Sequence, residues 1–322
     1  MKPNLSQFLQ SRLLGQDEAV MEFSEVVDRA ESGPSRAGRL KGFVLLLGPT
    51  GTGKTEMVKA TTEYLYGDDA KAHLARFDMA EYQHRDSIVR FLGGPGQPAL
   101  LGEAIDRLNA QGGGVILLDE IEKAYPDLRT VLLSFDDARS TMSDGSVKDL
   151  SNCYVILTSN LGAADAARMV SSGYSAIRRR VINEAEIAFN KEGVARFTAT
   201  VVMNVLTYEV QQEITRMALV REMRAQMNHL HRCIEIADPS VITFLVGKGF
   251  TPDLGARQIR KTVERYVGNA LLPYVDQMPE AAEAGLGDLL TDSLILRVEG
   301  DTLKASPPRR HPAFQAMLTM AA

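Results

Sequence analysis

Eight residues in a row, Gly48-Pro49-Thr50-Gly51-Thr52-Gly53-Lys54-Thr55, follow directly on the apolar run 43–47. The pattern G-x-x-x-x-G-K-T after a buried strand suits the phosphates of a nucleoside triphosphate better than any other ligand. Backbone N–H groups of a glycine-rich turn converge on the β-phosphate, and the helix that follows turns its positive N-terminal end to the same anion. In such a loop Lys54 reaches the β- and γ-phosphates, and the Thr55 hydroxyl ligates Mg²⁺.

A second constellation stands about 65 residues on, where the apolar run 115–118 ends in Asp119-Glu120. An aspartate at the end of a buried strand can reach a metal ion or its water shell, and the adjacent glutamate can polarise an attacking water. Two carboxylates at such a place without a charge partner are costly to bury, which favours a functional reading. A third apolar run ends in Thr158-Ser159-Asn160. Asn160 suits a plain turn residue, but an amide there can also donate and accept at once, orienting a water between Glu120 and the γ-phosphate.

These groups need a scaffold that brings several strand ends to one edge. Strands are predicted at 43–47, 75–79, 112–118, 152–159 and 200–206, with helices at 55–66, 87–91, 100–109, 128–139 and through most of 163–190. Strands alternating with helices predict a parallel sheet covered on both faces. A helix preceding the first strand is predicted from about residue 17 to 30. From 210 onward the pattern changes to one long helix to 230, a short strand at 234–236, two further helices and a hairpin at 294–298 and 302–305. A second, α-rich domain is therefore expected from about residue 209, with a tail from 307.

Taken together, the motifs resemble those of the second ATPase module of the Clp/Hsp100 unfoldases, in the AAA+ superfamily. The similar segments are Gly15-Gln-Asp-Glu-Ala-Val20, Leu47 to Glu56, Phe77-Asp-Met-Ala-Glu-Tyr82, Leu117 to Ala124, Leu157-Thr-Ser-Asn-Leu-Gly162 and Gly255-Ala-Arg257-Gln-Ile-Arg260. The resemblance implies a P-loop α/β sandwich with a five-stranded parallel sheet (residues 1–208) and a small α-rich lid (209–306). ATP with Mg²⁺ would lie between them, and subunits would form a ring, six-membered in that family. Leu14, Gly15 and Val20 would border the adenine, and residues 49–56 with Asp119 would hold the phosphates and metal. Arg257 matches the arginine that reads the γ-phosphate from the lid, although its local sequence is equally that of a helix start with a surface arginine. The arginine supplied to a neighbouring subunit aligns with Arg196, but the family's flanking Asn and Asp are missing, with Ala195 and Thr198 in their places.

One stretch departs further. The family's substrate-gripping loop carries an aromatic residue, whereas 93–102 here is shorter and has none; Leu100 and Leu101 are the nearest apolar substitutes. The 322 residues also hold a single ATPase module without a coiled-coil insertion. A remodeller dedicated to one client complex is therefore expected rather than a general disaggregase. The alternative is a nucleotide-gated scaffold subunit, in which ATP binding rather than turnover sets the oligomer state.

Composition narrows the remaining classes. Hydrophobic residues make up 45% and charged residues 24%, and the net charge of −5 does not favour nucleic acid or an anionic membrane. The N-terminal residues form no secretory h-region and no run approaches 18 apolar residues, so neither export nor membrane insertion is expected and a cytoplasmic home is. Cys153, in an apolar run, reads as a core residue. His229, His231 and Cys233 lack the helical spacing of a metal site, and Asp136-Asp137 reads as solvated or as family structure.

Overall fold

Six-residue apolar stretches without alternation demand burial on both faces, and a parallel sheet supplies it. The computed structural model describes residues 4–33, 38–94, 96–230, 232–251, 255–277 and 293–307. The chain divides into two compact units, Met1–Thr207 and Tyr208–Ala322.

The first unit begins with α1 (Leu5–Gln10) and α2 (Asp17–Ser32), then β1 (Gly42–Leu47) and α3 (Lys54–Tyr66). Next come β2 (Leu74–Asp78), α4 (Asp86–Leu92), α5 (Leu100–Ala110), β3 (Gly114–Asp119) and α6 (Pro126–Leu132). A hairpin of β4 (Arg139–Thr141) and β5 (Val147–Asp149) precedes β6 (Cys153–Ser159). The unit closes with α7 (Ala163–Arg168), α8 (Tyr174–Phe189), α9 (Lys191–Ala195) and β7 (Ala199–Val202). The five long-range strands form one parallel sheet in the order β2-β3-β6-β1-β7. Every residue of β1, β3 and β6 is buried. One face packs on Phe23, Met57 and Val58, the other on Phe91, Ile105 and Leu128. Register sets Leu47 beside Ser159, and Asp78 beside Asp119, so the functional strand ends share one edge. Ligands bind at that edge in open α/β sheets because the helix N-termini open there.

The predicted helix over 128–139 is corrected. It stops at Leu132; a 3-10 turn, Phe135–Asp137, follows, and Ala138 takes a left-handed conformation (φ +53°) that turns the chain into β4. The β4–β5 hairpin reverses at Asp144-Gly145, where Asp144 Oδ1 accepts from the Ser146 N–H (2.8 Å) and Gly145 takes φ +83°. Cys153 is buried as expected, and burial pushes its thiol up to about 11.

The second unit contains α10 (Tyr208–Leu230), β8 (Cys233–Ile236), α11 (Ser240–Gly249), α12 (Ile259–Leu271), β9 (Ser293–Glu299) and β10 (Thr302–Ser306). Its strands form a mixed sheet, β10-β9-β8, around a core that includes Leu245, Val263 and Leu296. Among the described residues no helix is long and apolar enough to cross a membrane. His231 and the tail from 308 lie outside the described residues.

Candidate active site

The turn between β1 and α3 is shaped by lack of room. At Gly48 (φ +136°) an added Cβ would stand 3.0 Å from the Met203 carbonyl oxygen, and at Gly53 (φ +107°) 2.7 Å from Leu13 Cδ2. The backbone angle calls for glycine at both positions, and at Gly48 the close backbone of Met203 adds to it. α3 opens at Lys54 with no side-chain cap, so its first amides and its positive end face the turn. Thr52 Oγ1 donates to the Pro49 carbonyl (2.8 Å), which closes the loop on itself. The buried Lys54 folds over it, its Nζ donating to the carbonyls of Gly48 (2.7 Å) and Pro49 (2.9 Å) and to Asn160 Oδ1 (2.9 Å). Glu56 is exposed in the first turn of α3.

Asp119, only 6% exposed, ends β3 with its charge fully engaged. It accepts from the Thr158 hydroxyl, from Thr55 Oγ1 (3.3 and 3.4 Å to its two oxygens) and from Arg76 Nη2 (2.7 Å). The Thr55 hydroxyl and the Asp119 carboxylate are hard oxygen donors on neighbouring elements at a helix N-terminus, a set that fits Mg²⁺ beside phosphates.

Glu120 occupies the left-handed region (φ +59°, ψ +52°), uncommon for a residue with a side chain. Its N–H donates to Thr158 Oγ1 (3.1 Å), which fixes the turn after β3 to β6. One carboxylate oxygen pairs with Lys123 Nζ (2.5 Å); that hydrogen bond holds the Lys123 ammonium above the usual lysine value. The other lies 3.5 Å from Asn160 Nδ2, a long contact. Asn160 also accepts from Thr50 Oγ1 (3.3 Å). Its amide thus stands between the lysine of the phosphate loop and the carboxylate of Glu120, touching both.

The other predicted residues lie elsewhere. Val20 is buried on the α2 face of the sheet, Leu14 is half-buried and Gly15 turns at φ +69°. Arg196 ends α9 at the surface, paired with Glu192 (3.1 Å) and Asp136 (3.4 Å). These two acids raise its pKa, Glu192 most. Its neighbours anchor it: Phe197 stacks on Phe43 (4.3 Å between centroids), and Thr198 Oγ1 accepts from the Phe43 N–H (3.1 Å). These two contacts hold the arginine's backbone to β1. Arg196 also lines a cleft of about 450 Å³ beside Arg129 and Ile187, the latter 71% exposed. Arg257 is exposed in the second unit, in the turn Ala256–Gln258 ahead of α12. In the shortened loop, Gly94 and Gln97 exchange backbone hydrogen bonds (3.2 and 3.0 Å). Leu101 is fully buried in α5, which removes it as a gripping residue.

Residues 39–200, half of the chain, match the AAA domain (Cdc48 subfamily), and residues 206–276 match the C-terminal, D2-small domain of ClpB protein. The chain belongs to the AAA ATPase family. Chaperone protein ClpB 1 of Synechococcus elongatus is 32% identical over 98% of this chain and 34% of its own length. Chaperone protein ClpB of Pseudomonas putida is 34% identical over 83% of the chain and 31% of its own length. For the chloroplastic ClpB2 of Oryza sativa the figures are 32%, 83% and 28%. The chain thus spans about a third of the length of these curated relatives.

Within this AAA module, sequence reasoning missed several members of the cluster. Arg76 was visible in principle, since alternation along β2 sets it on the same face as Asp78, two residues on. Thr158, Glu122 and Lys123 sat inside quoted motifs without roles. Gln16, likewise inside a quoted segment without a role, is fully buried; its amide accepts from Asn204 N–H (2.7 Å) and donates to Asn204 O (3.1 Å), tying the start of α2 to the chain beyond β7.

Proposed function

We propose that the chain binds ATP–Mg²⁺ on the 49–56 loop and hydrolyses it, and that turnover drives the remodelling of a protein complex. The observation that carries this reading is the position of Asn160, 2.9 Å from Lys54 Nζ and 3.5 Å from Glu120. Lys54 moves from loop carbonyls to phosphate oxygens, an exchange of neutral acceptors for charged ones that favours binding. Thr55 and Asp119 would hold Mg²⁺, which would supply charge neutralisation at the phosphates. Glu120 takes a proton from the attacking water at the carboxylate oxygen that faces Asn160, its other oxygen being held by Lys123. Asn160 orients that water by donating from Nδ2.

Arg196 acts in trans on the ATP of a neighbouring subunit, in a ring with the stoichiometry of six usual for the resemblance noted above. Its exposure, its anchored backbone and the adjoining apolar Ile187 support such a contact. Arg257, in the lid (209–306), senses the γ-phosphate, and Leu14, Gly15 and Val20, in the large domain (1–208), flank the adenine. That the relatives are chaperones supports a protein client, and the self-closed, aromatic-free loop supports a dedicated one, handled in the cytoplasm. A second reading, a nucleotide-gated scaffold, draws on one observation: Arg196 is already engaged by Glu192 and Asp136.

Steady-state phosphate release and chromatography with ATP, ADP and no nucleotide separate the two. Remodelling by hydrolysis requires turnover that Lys54→Ala reduces by ~100-fold or more through lost phosphate contacts. Nucleotide-dependent assembly without turnover in the unmodified chain would establish the scaffold reading instead.

A further inference from the structure

Glu122 lies outside the roles assigned above, yet its side chain reaches into the cluster from the 3-10 turn Ile121–Lys123. Its Oε1 accepts from the backbone N–H of Asn160 at 3.0 Å. Its Oε2 is buried with no hydrogen-bond partner among the described residues. A carboxylate is expensive to bury for the sake of filling space, and a shorter or apolar side chain would do that more cheaply. What the charge does provide is a strong acceptor for one N–H group, the amide at which β6 stops and the chain swings toward Lys54.

We infer that Glu122 is a positioning residue, which sets the Asn160 side chain between Lys54 and Glu120 by fixing that residue's backbone. The inference rests on the role proposed for Asn160. Besides the long Asn160 Nδ2 contact, the turn carrying Glu120 is tied to the end of β6 by two backbone N–H groups, Glu120 N–H donating to Thr158 Oγ1 and Asn160 N–H donating to Glu122 Oε1. The first tie fixes the end of the base's turn, and the second fixes the water-orienting amide to that same turn. With both in place, the two groups that must share one water move as one body. Without the second, Asn160 keeps its identity and loses its register to Glu120. Misplacement of about 1 Å at a reacting centre is enough to cost up to ~100-fold in rate.

The test uses the full chain and reads ATP binding by calorimetry and hydrolysis both at steady state and in single turnover with protein in excess. Glu122→Ala is expected to lower the hydrolysis rate by ~10-fold or more with ATP affinity within about threefold, and Glu122→Gln, whose amide oxygen can still accept, to restore most of it. In an Asn160→Ala background, Glu122→Ala should add little further loss, because the group it positions is gone. A purely structural role would instead lower the melting temperature and reduce the rate by the same factor in both backgrounds, overturning the inference. If Asn160→Ala slows hydrolysis and Glu122→Ala does not, the inference alone fails. If Asn160→Ala leaves hydrolysis intact, the assigned role of Asn160 fails first, and the inference with it.

Discussion

The ends of β3 and β6 and the edge that carries Arg196 are both charged, but they are organised on different principles. At the strand ends the Asp119 carboxylate is buried and multiply bonded, taking hydrogen bonds from Thr55, Thr158 and the partly exposed Arg76. At the other edge, Arg196 is 36% exposed in its side chain and its partner Glu192 is 82% exposed. Buried charge stands only where the surrounding groups over-determine it, so removing one member disturbs the rest. Exposed ion pairs contribute little to folding and exchange partners readily. The first arrangement fits a site whose geometry must precede its ligand. The second fits an arginine that leaves its own subunit's acids for a phosphate on another.

Two substitutions sharpen this contrast. Arg196→Ala should cut turnover by roughly 10³-fold, the range for a transition-state arginine supplied in trans, while ATP binding and thermal melting stay unchanged. Mixing it with Lys54→Ala subunits should return part of the phosphate release, since an intact site then meets an intact arginine across the interface. Absence of such rescue would remove Arg196 from any trans role. The smaller effect falls on the buried side. Thr158→Val keeps the shape but deprives Asp119 of a donor and leaves the Glu120 N–H unpaired, a destabilisation of about 1–3 kcal/mol. A urea melt reads it; an unchanged midpoint would show that the cluster does not depend on this hydroxyl.

The same contrast explains what the sequence could convey. β1, β3 and β6 were legible because strands buried on both faces are continuous apolar runs, and each ends abruptly in polar residues that have chemistry to do. The helix assigned over 128–139 overran because Phe135 prolongs the apolar spacing, while the break depends on a left-handed Ala138 that composition does not announce. The β4–β5 hairpin was missed for its length, three residues a strand, although Asp144-Gly145 marks its turn. In the site, Lys54, Asp119, Glu120 and Asn160 could be named from local pattern. Arg76, Glu122 and Lys123 could not be given partners, because those partners are set by strand register and by a turn whose conformation is nonlocal in origin. Arg196 was found by alignment to a family pattern, and the anchoring of its backbone by Phe197, stacked on Phe43, is set by a partner far away in sequence.

Glu120→Gln bears most directly on the central claim, that this chain is an ATP-hydrolysing engine whose base is Glu120. The amide preserves the size of the side chain and abolishes its capacity to take a proton. Calorimetric titration with ATP–Mg²⁺ beside phosphate release should show binding within a few-fold of the unmodified chain and a turnover lower by ~10²-fold or more. Turnover retained at the unmodified rate, in a preparation that binds ATP, would contradict the account.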